Sequence, residues 1–425
     1  MIYLINAEST ATENNNGMKT VDIAWELFLK RNNINIPYKR YSIKPQKNII
    51  KITNNFTLKY ESLIGFKFDS LSSDDILIYW GDFLHSNHYI KNDLKRIANR
   101  RKTSLKRKIF NFLKQQKNEK VEKEAKIYDN YLDLAYKYHL LENIEPHWKK
   151  TISFGTTFVG DSEITNFYDD RYNNAFNEFI QNKVDNIFVR EVFSAFQIAH
   201  IKNDYYNSYL GIDAALLNNW SDYKKIIDQK PYFKQMDNTK YILIHFTRTH
   251  ANINELLNFV FKINEKLKLD IYWIPWLVDI NHKQFSKIKH KYKKNIKKLK
   301  TNDYSDLIYA IKNASLIITD TYHLSLVGWK LHTPVIAIGS GTQLPISTVD
   351  DKKKEIFYGM YNALPLYFYS ENLNNNKLIL KFIENIQSII NNKNHKVFEN
   401  IYKKIDNHSK SIEKFLIKSI KNEEL

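Results

Sequence analysis

The sequence predicts an α/β protein made of two Rossmann-like domains whose parallel sheets face a central cleft, and three observations carry that expectation. Short apolar runs alternate with amphipathic segments along most of the chain, the grammar of strands joined by crossover helices. At 425 residues the chain is longer than one ordinary hydrophobic core organises. A stretch with a proline and little apolar pattern, residues 219–240, separates the two alternating regions and reads as a linker.

The elements follow in order. "IYLINA" at residues 2–7 is a strand, and after a polar loop "VDIAWELFLKR" is an amphipathic helix. Ile76 to Trp80 repeats the strand pattern and ends in a Gly-Asp turn, and "TISFGTTFVG" and "VDNIFVREVFSAFQIAH" continue it, so residues 1–218 form the first domain. Inside it, residues 91–126 are a long basic helical insertion, suited either to an anionic membrane surface or to a solvated face packed on the domain. The second domain, residues 241–375, runs through strand "YILIHF", helix "NINELLNFVFKINEKLK", strand "DIYWIPWL", helix "YSDLIYAIKNA", strand "SLIITD", helix "YHLSLVGWKL" and strand "PVIAIG". Residues 376–425 add helices, the last of which is expected to cross back to the first domain; no repeat of fixed period is present.

Composition narrows the function classes. The formal net charge of +18 suits an anionic partner, although a chain so rich in Lys, Asn, Ile and Tyr also carries the bias of an AT-rich coding sequence. The absence of cysteine excludes disulfides, thiolate nucleophiles and Cys-ligated zinc. No nucleic-acid-binding motif accompanies the lysines, so no nucleic-acid partner is expected. The amino terminus lacks the features of a secretory signal and no apolar run approaches the ~18 residues that span a bilayer. The expected location is therefore cytoplasmic, or peripheral to the inner face of the cytoplasmic membrane.

In an open parallel sheet, ligands bind beyond the carboxyl ends of the strands. "SLIITD" ends at such an edge, which places Thr319, Asp320, Thr321 and His323 there. Asp320 or Thr321 is a candidate N-cap of the next helix, and His323 falls in its first turn, where free amides attract anions. An imidazole there can hold a phosphate or move a proton near neutrality, or it can simply fill the core. His245, Arg248 and His250 share the same edge, with Arg248 the favoured anion ligand and His245 beside it. "GDFLHSNHY" groups Asp82, His85 and His88, which read as an acceptor-binding loop and not as a metal cluster, so no metal is expected. Tyr272, Trp273 and Trp276 offer rings for a sugar, with core packing as the default.

Two Rossmann-like domains, a linker and a closing helix form the architecture of GT-B proteins. More specifically, "YSDLIYAIKNASLIITDTYHLSLVGWKLHTPVIAIG" resembles the C-terminal signature of the polysaccharide pyruvyl transferase family. "NIFVREVFSAFQIAHI" with "YLGIDAALL" is similar to that family's Val-Arg-acidic-x-x-Ser segment and the Asp after it. "NNNGMKT", which contains Asn16, and "YWGDFLHS", which contains Asp82, are weaker echoes of its glycine-bearing strand ends. The resemblance implies transfer of the enolpyruvyl unit of phosphoenolpyruvate to two hydroxyls of a cell-surface glycan, free or lipid-linked, to form a cyclic ketal. It implies no cofactor beyond phosphoenolpyruvate as co-substrate.

By that resemblance Arg190 binds the donor's carboxylate or phosphate and His323 is general acid or phosphate ligand, with Asp320 beside it. Thr321 and His245 complete the donor side in the second domain, and Asn16, Asp82 and His85 the acceptor side in the first. Two positions depart from the pattern. Thr321 replaces the usual Arg, so that Arg248 or a nearby Lys must supply the missing charge, and His332 replaces the usual Gly before Thr-Pro. The alternative is a GT-B glycosyltransferase using a nucleotide sugar in surface polysaccharide or lipooligosaccharide synthesis, although Val327 stands where many retaining members carry a ribose-binding Glu. The acceptor sugar and the oligomeric state are not legible in the sequence.

Overall fold

The computed structural model describes residues 1–6, 15–43, 48–82, 84–87, 90, 130, 132–158, 170–227, 240–247, 251–277, 285–286, 288, 290–301, 303–340, 349–391 and 396–421. In chain order the elements are β1 (Ile2–Asn6), α1 (Asn16–Arg31), β2 (Tyr38–Ser42), β3 (Ile49–Thr53), β4 (Phe56–Lys59), β5 (Glu61–Ser62), β6 (Ile76–Trp80), β7 (Lys150–Thr156), α2 (Asp170–Glu178), β8 (Asn186–Val189) and α3 (Val192–Lys202). There follow β9 (Tyr241–His245), α4 (Ile253–Leu267), β10 (Asp270–Trp273), β11 (Lys297–Lys298), α5 (Tyr304–Asn313), β12 (Leu316–Thr319), α6 (Tyr322–Lys330), β13 (Val335–Gly339), α7 (Val349–Met360), β14 (Tyr367–Tyr369), α8 (Asn376–Asn391) and α9 (Lys396–Lys421).

The chain forms two compact units, one of Met1–Glu8, Ile36–Gln46 and Tyr60–Gly211, the other of Ser9–Asn35, Lys47–Lys59 and Ile212–Leu425. Each holds a six-stranded sheet, ordered β5-β2-β1-β6-β7-β8 in the first and β11-β10-β9-β12-β13-β14 in the second. Every pairing within both sheets is parallel. The chain starts each sheet in the middle, builds one edge and returns to build the other, the doubly wound Rossmann order. The expected fold class is thus present twice, and its switch points lie between β1 and β6 and between β9 and β12.

Strands flanked on both faces must be apolar throughout, and β6, β9, β12 and β13 are buried along their whole lengths. All nine residues of α6 are buried as well, because it packs against the sheet and against α9. In α1, Asn15 caps the amino end by accepting from the Gly17 amide at 2.9 Å, and Lys30 and Arg31 face the negative carboxyl end.

Several boundaries differ from the sequence expectation. The compact units assign α1 and the β3–β4 hairpin to the second unit, and they divide at Gly211 and Ile212 instead of at 218. Within the 219–240 stretch, Trp220–Tyr223 is a short helix capped by the Asn219 side chain, and residues 228–239 lie outside the described residues. The closing helix α9 belongs to the second unit. It packs on α6 and on the 3-10 turn Ala214–Leu217, and Glu413 accepts from the Arg31 guanidinium at 2.7 Å. The basic insertion 91–126 lies outside the described residues. Among the described residues no helix is long and apolar enough to cross a membrane.

Candidate active site

The second sheet's switch point is tied together by side chains that the sequence places at strand ends. His245, at the end of β9, is fully buried; its Nδ1 meets the Ile274 carbonyl at 2.8 Å and its Nε2 the Thr247 hydroxyl at 3.4 Å. Both carboxylate oxygens of Asp320 accept from the Thr247 amide at 2.9 Å, and the Thr321 hydroxyl donates to one of them at 3.2 Å. Asp320 thus ties the ends of β9 and β12 together, and His245 is a core residue with both ring nitrogens engaged, whereas the sequence reads them as catalytic and donor-binding. Thr321 does occupy the N-cap position of α6, but neither it nor Asp320 caps the helix with its side chain.

His323 differs from both. It is 7% exposed, and its Nε2 is buried without a hydrogen-bond partner. An Asp213 carboxylate oxygen lies 3.6 Å from that nitrogen, too far for a charge-assisted hydrogen bond. Asp213 is buried and also caps the 3-10 turn by accepting from the Ala215 amide. Its charge is felt nearby: burial first, and then the Asp213 carboxylate, push the Tyr361 hydroxyl well above the usual tyrosine range.

The other wall of the imidazole is the first turn of α1. A Cβ at Gly17 would fall 2.7 Å from the His323 Cβ and 2.8 Å from its Cγ and Nδ1, so only glycine permits this approach. The amino ends of α1 and α6 therefore meet at His323, and both present positive dipole ends there. Sequence reasoning saw the helix start and the glycine but had no signal that they touch, because 306 positions separate Gly17 from His323.

Two cations that the sequence did not single out lie near Thr321, Lys353 on the Tyr322 ring and Lys354 on the Asp320 carbonyl. Lys353 is buried, with its ammonium 4.9 Å from the Tyr322 ring centre, and that ring stands edge-on to His323 at 5.2 Å. Lys354 is fully buried and donates to the carbonyls of Asp320 and Ile338, at the carboxyl ends of β12 and β13. The two lysines are adjacent in α7 and buried. Arg248 lies outside the described residues, as do His88 and His250.

In the first unit the motif residues are engaged with one another. Arg190 is buried and forms an ion pair with Asp82. Glu191 caps α3, accepting from the Phe193 amide at 2.7 Å and the Ser194 amide at 3.0 Å, while the Ser194 hydroxyl accepts from Phe158. The acidic-x-x-Ser part of the motif is thus a helix cap. His85 is fully buried, with Nδ1 on the His139 carbonyl at 2.7 Å and Nε2 on the Ser153 hydroxyl at 2.9 Å. Burial lowers its pKa to about 3. His85 is thus held within the core of its unit, whereas the sequence reads it as part of an acceptor-binding loop. Asn16, also read as acceptor-binding, is buried and its amide donates to the Trp276 carbonyl at 2.8 Å. Trp273 and Trp276 are core residues, and Val327 is buried in α6. Among the described residues no group of His, Cys, Asp or Glu could hold a metal ion.

The second unit is thus a doubly wound α/β unit in which a histidine without a hydrogen-bond partner at Nε2 lies between two helix amino ends. The profile of the family described as polysaccharide pyruvyl transferase matches residues 20–342, and the chain belongs to that family. Among curated proteins none matches the chain. Solved structures resemble it at low identity. The UDP-GlcNAc 2-epimerase of Neisseria meningitidis is 13% identical, with 98% of this chain and 100% of that one covered at a TM-score of 0.48. The putative UDP-N-acetylglucosamine 2-epimerase of Listeria monocytogenes is 10% identical, with 98% and 96% covered at 0.49. The UDP-GlcNAc 2-epimerase of Methanocaldococcus jannaschii is 12% identical, with 98% and 100% covered at 0.47.

Proposed function

We propose that this transferase moves the enolpyruvyl unit of phosphoenolpyruvate onto two hydroxyls of a surface glycan, forming a pyruvate ketal. The observation that carries the reading is the buried Nε2 of His323, unpaired and facing Asp213, at the junction of two helix amino ends.

The reaction begins with a proton delivered to the methylene carbon, which leaves an oxocarbenium centre at the carbon bearing phosphate. A sugar hydroxyl adds there and loses its proton. The carbon–oxygen bond to phosphate then breaks, and a second hydroxyl closes the ketal with loss of its own proton. One of the two protons released replaces the one given to the methyl group, and the other leaves with hydrogen phosphate. His323 suits the proton donor, with the Asp213 carboxylate 3.6 Å from its Nε2. The amino ends of α1 and α6, together with Lys353, attract the donor's phosphate.

The test is to incubate the protein with phosphoenolpyruvate and a glycan bearing suitably spaced hydroxyls, then measure phosphate release and the acceptor's mass. The expected product is the acceptor plus one pyruvate less one water, with one phosphate released for each. Consumption of a UDP- or CMP-sugar, with phosphoenolpyruvate untouched, would replace this reading by glycosyl transfer.

A further inference from the structure

A second feature of the same unit takes no part in that chemistry. A cavity of about 740 Å³ lies between the first turn of α1, the β3–β4 hairpin, the exit of β11 and the start of α5. Four lysines line it, Lys19, Lys51, Lys298 and Lys300, against a single carboxylate, Asp303. That carboxylate is occupied in capping α5, accepting from the Ser305 amide at 2.8 Å. Ile52 and Leu299 supply apolar wall.

We propose that this cavity binds the diphosphate group of a glycosyl diphosphate, the class of anion that an activated or lipid-linked acceptor carries. The lining has lysines and neither histidine nor arginine, so it offers point charges for phosphate and no group that moves a proton near neutral pH. Its volume falls in the range of small-ligand sites and exceeds the needs of one phosphate. Asn16 lines it and is followed directly by Gly17, which abuts His323, so a diphosphate seated here leaves the attached sugar near the histidine. This assignment rests on the transferase reading for the identity of its ligand alone; the cavity's charge stands without it.

The test uses inorganic pyrophosphate as the probe, in calorimetry without phosphoenolpyruvate, so that failure of pyruvyl transfer cannot be mistaken for failure of the site. The full-length protein should bind one pyrophosphate with an affinity that falls steeply with salt. A Lys298→Gln/Lys300→Gln variant, changed at exposed positions and checked for an unchanged melting temperature, should bind at least ~10-fold more weakly with a shallower salt dependence. Lys51→Gln should move in the same direction. Farnesyl diphosphate binding more tightly than pyrophosphate assigns a lipid source, and UDP doing so assigns a nucleotide source; either supports the site. Equal affinity in the parent and the double variant, or no binding at millimolar pyrophosphate, overturns it.

Discussion

The carboxyl ends of the two sheets carry similar residues with different outcomes. In the first, Arg190 meets Asp82, Glu191 and Ser194 build a helix cap, and both nitrogens of His85 are engaged. In the second, His245 and Asp320 are engaged in the same way, yet His323 one turn further on keeps a nitrogen without a hydrogen-bond partner. Polar residues at strand ends are what any parallel sheet needs to satisfy its loops. A buried polar group without a hydrogen-bond partner costs stability unless a ligand completes it, and His323 Nε2 is one of several such atoms among the described residues, Thr156 Oγ1 at the end of β7 being another.

Four substitutions or conditions can break or sharpen this contrast. The largest effect is expected for Asp82→Ala, which leaves the buried Arg190 guanidinium without its carboxylate and should lower unfolding free energy in urea by about 3 kcal/mol or more. A loss below about 1 kcal/mol would mean that the first sheet's edge is not the closed network described here.

The next effect is pH dependence. The folded-state pKa of His85 is about 3, far below the usual value of about 6.5. Its neighbour His139 is also lowered to about 3, by burial and then by the His85 charge. The unfolded chain therefore takes up protons below pH ~6.5 that the folded one refuses, and stability should fall as pH drops through that value towards 3. By pH 5.5 the loss should be about 3 kcal/mol for the two histidines together, and it should vanish above pH ~7.5. A flat stability profile from pH 7.5 to 5.5 would contradict their burial as neutral imidazoles.

Glu191→Ala removes the cap of α3 and should cost about 1 kcal/mol, with Glu191→Gln retaining part of it. The smallest effect is expected at His332, which adopts a left-handed backbone with φ of 58°. Its ring stacks on Tyr402 at 4.6 Å and its Nε2 meets Asp406 at 2.9 Å. His332→Gly relieves the backbone and loses those contacts, so thermal unfolding should shift by no more than about 0.5 kcal/mol in either direction.

That last position shows how far the sequence could be read. A glycine before Thr-Pro is explained by the left-handed turn, and the departure to His332 by a partner 74 positions away in α9, which no local pattern reveals. The strands Ile76–Trp80, Leu316–Thr319 and Val335–Gly339 were legible because burial on both faces demands unbroken apolar runs. The two-residue edge strands β5 and β11 were not, because "ES" and "KK" carry no apolar signal and pair only through the backbone. His323 itself was legible from the strand-to-helix boundary. Asp213, Gly17 and Lys353, which give it its environment, were not, since each comes from a different part of the chain.

The central claim is that His323 is unsatisfied because it acts, and a single substitution tests it. His323→Gln removes the titrating ring while keeping a side chain of similar reach. Melting temperature and phosphoenolpyruvate-dependent phosphate release should be measured on the same preparation. The account predicts a melting temperature equal to or slightly above that of the parent, since no hydrogen bond at Nε2 is lost. It predicts a rate lower by roughly 10²-fold or more, the usual scale for a positioned acid or charge-stabilising donor. A folded His323→Gln protein that releases phosphate at the parent rate would contradict it.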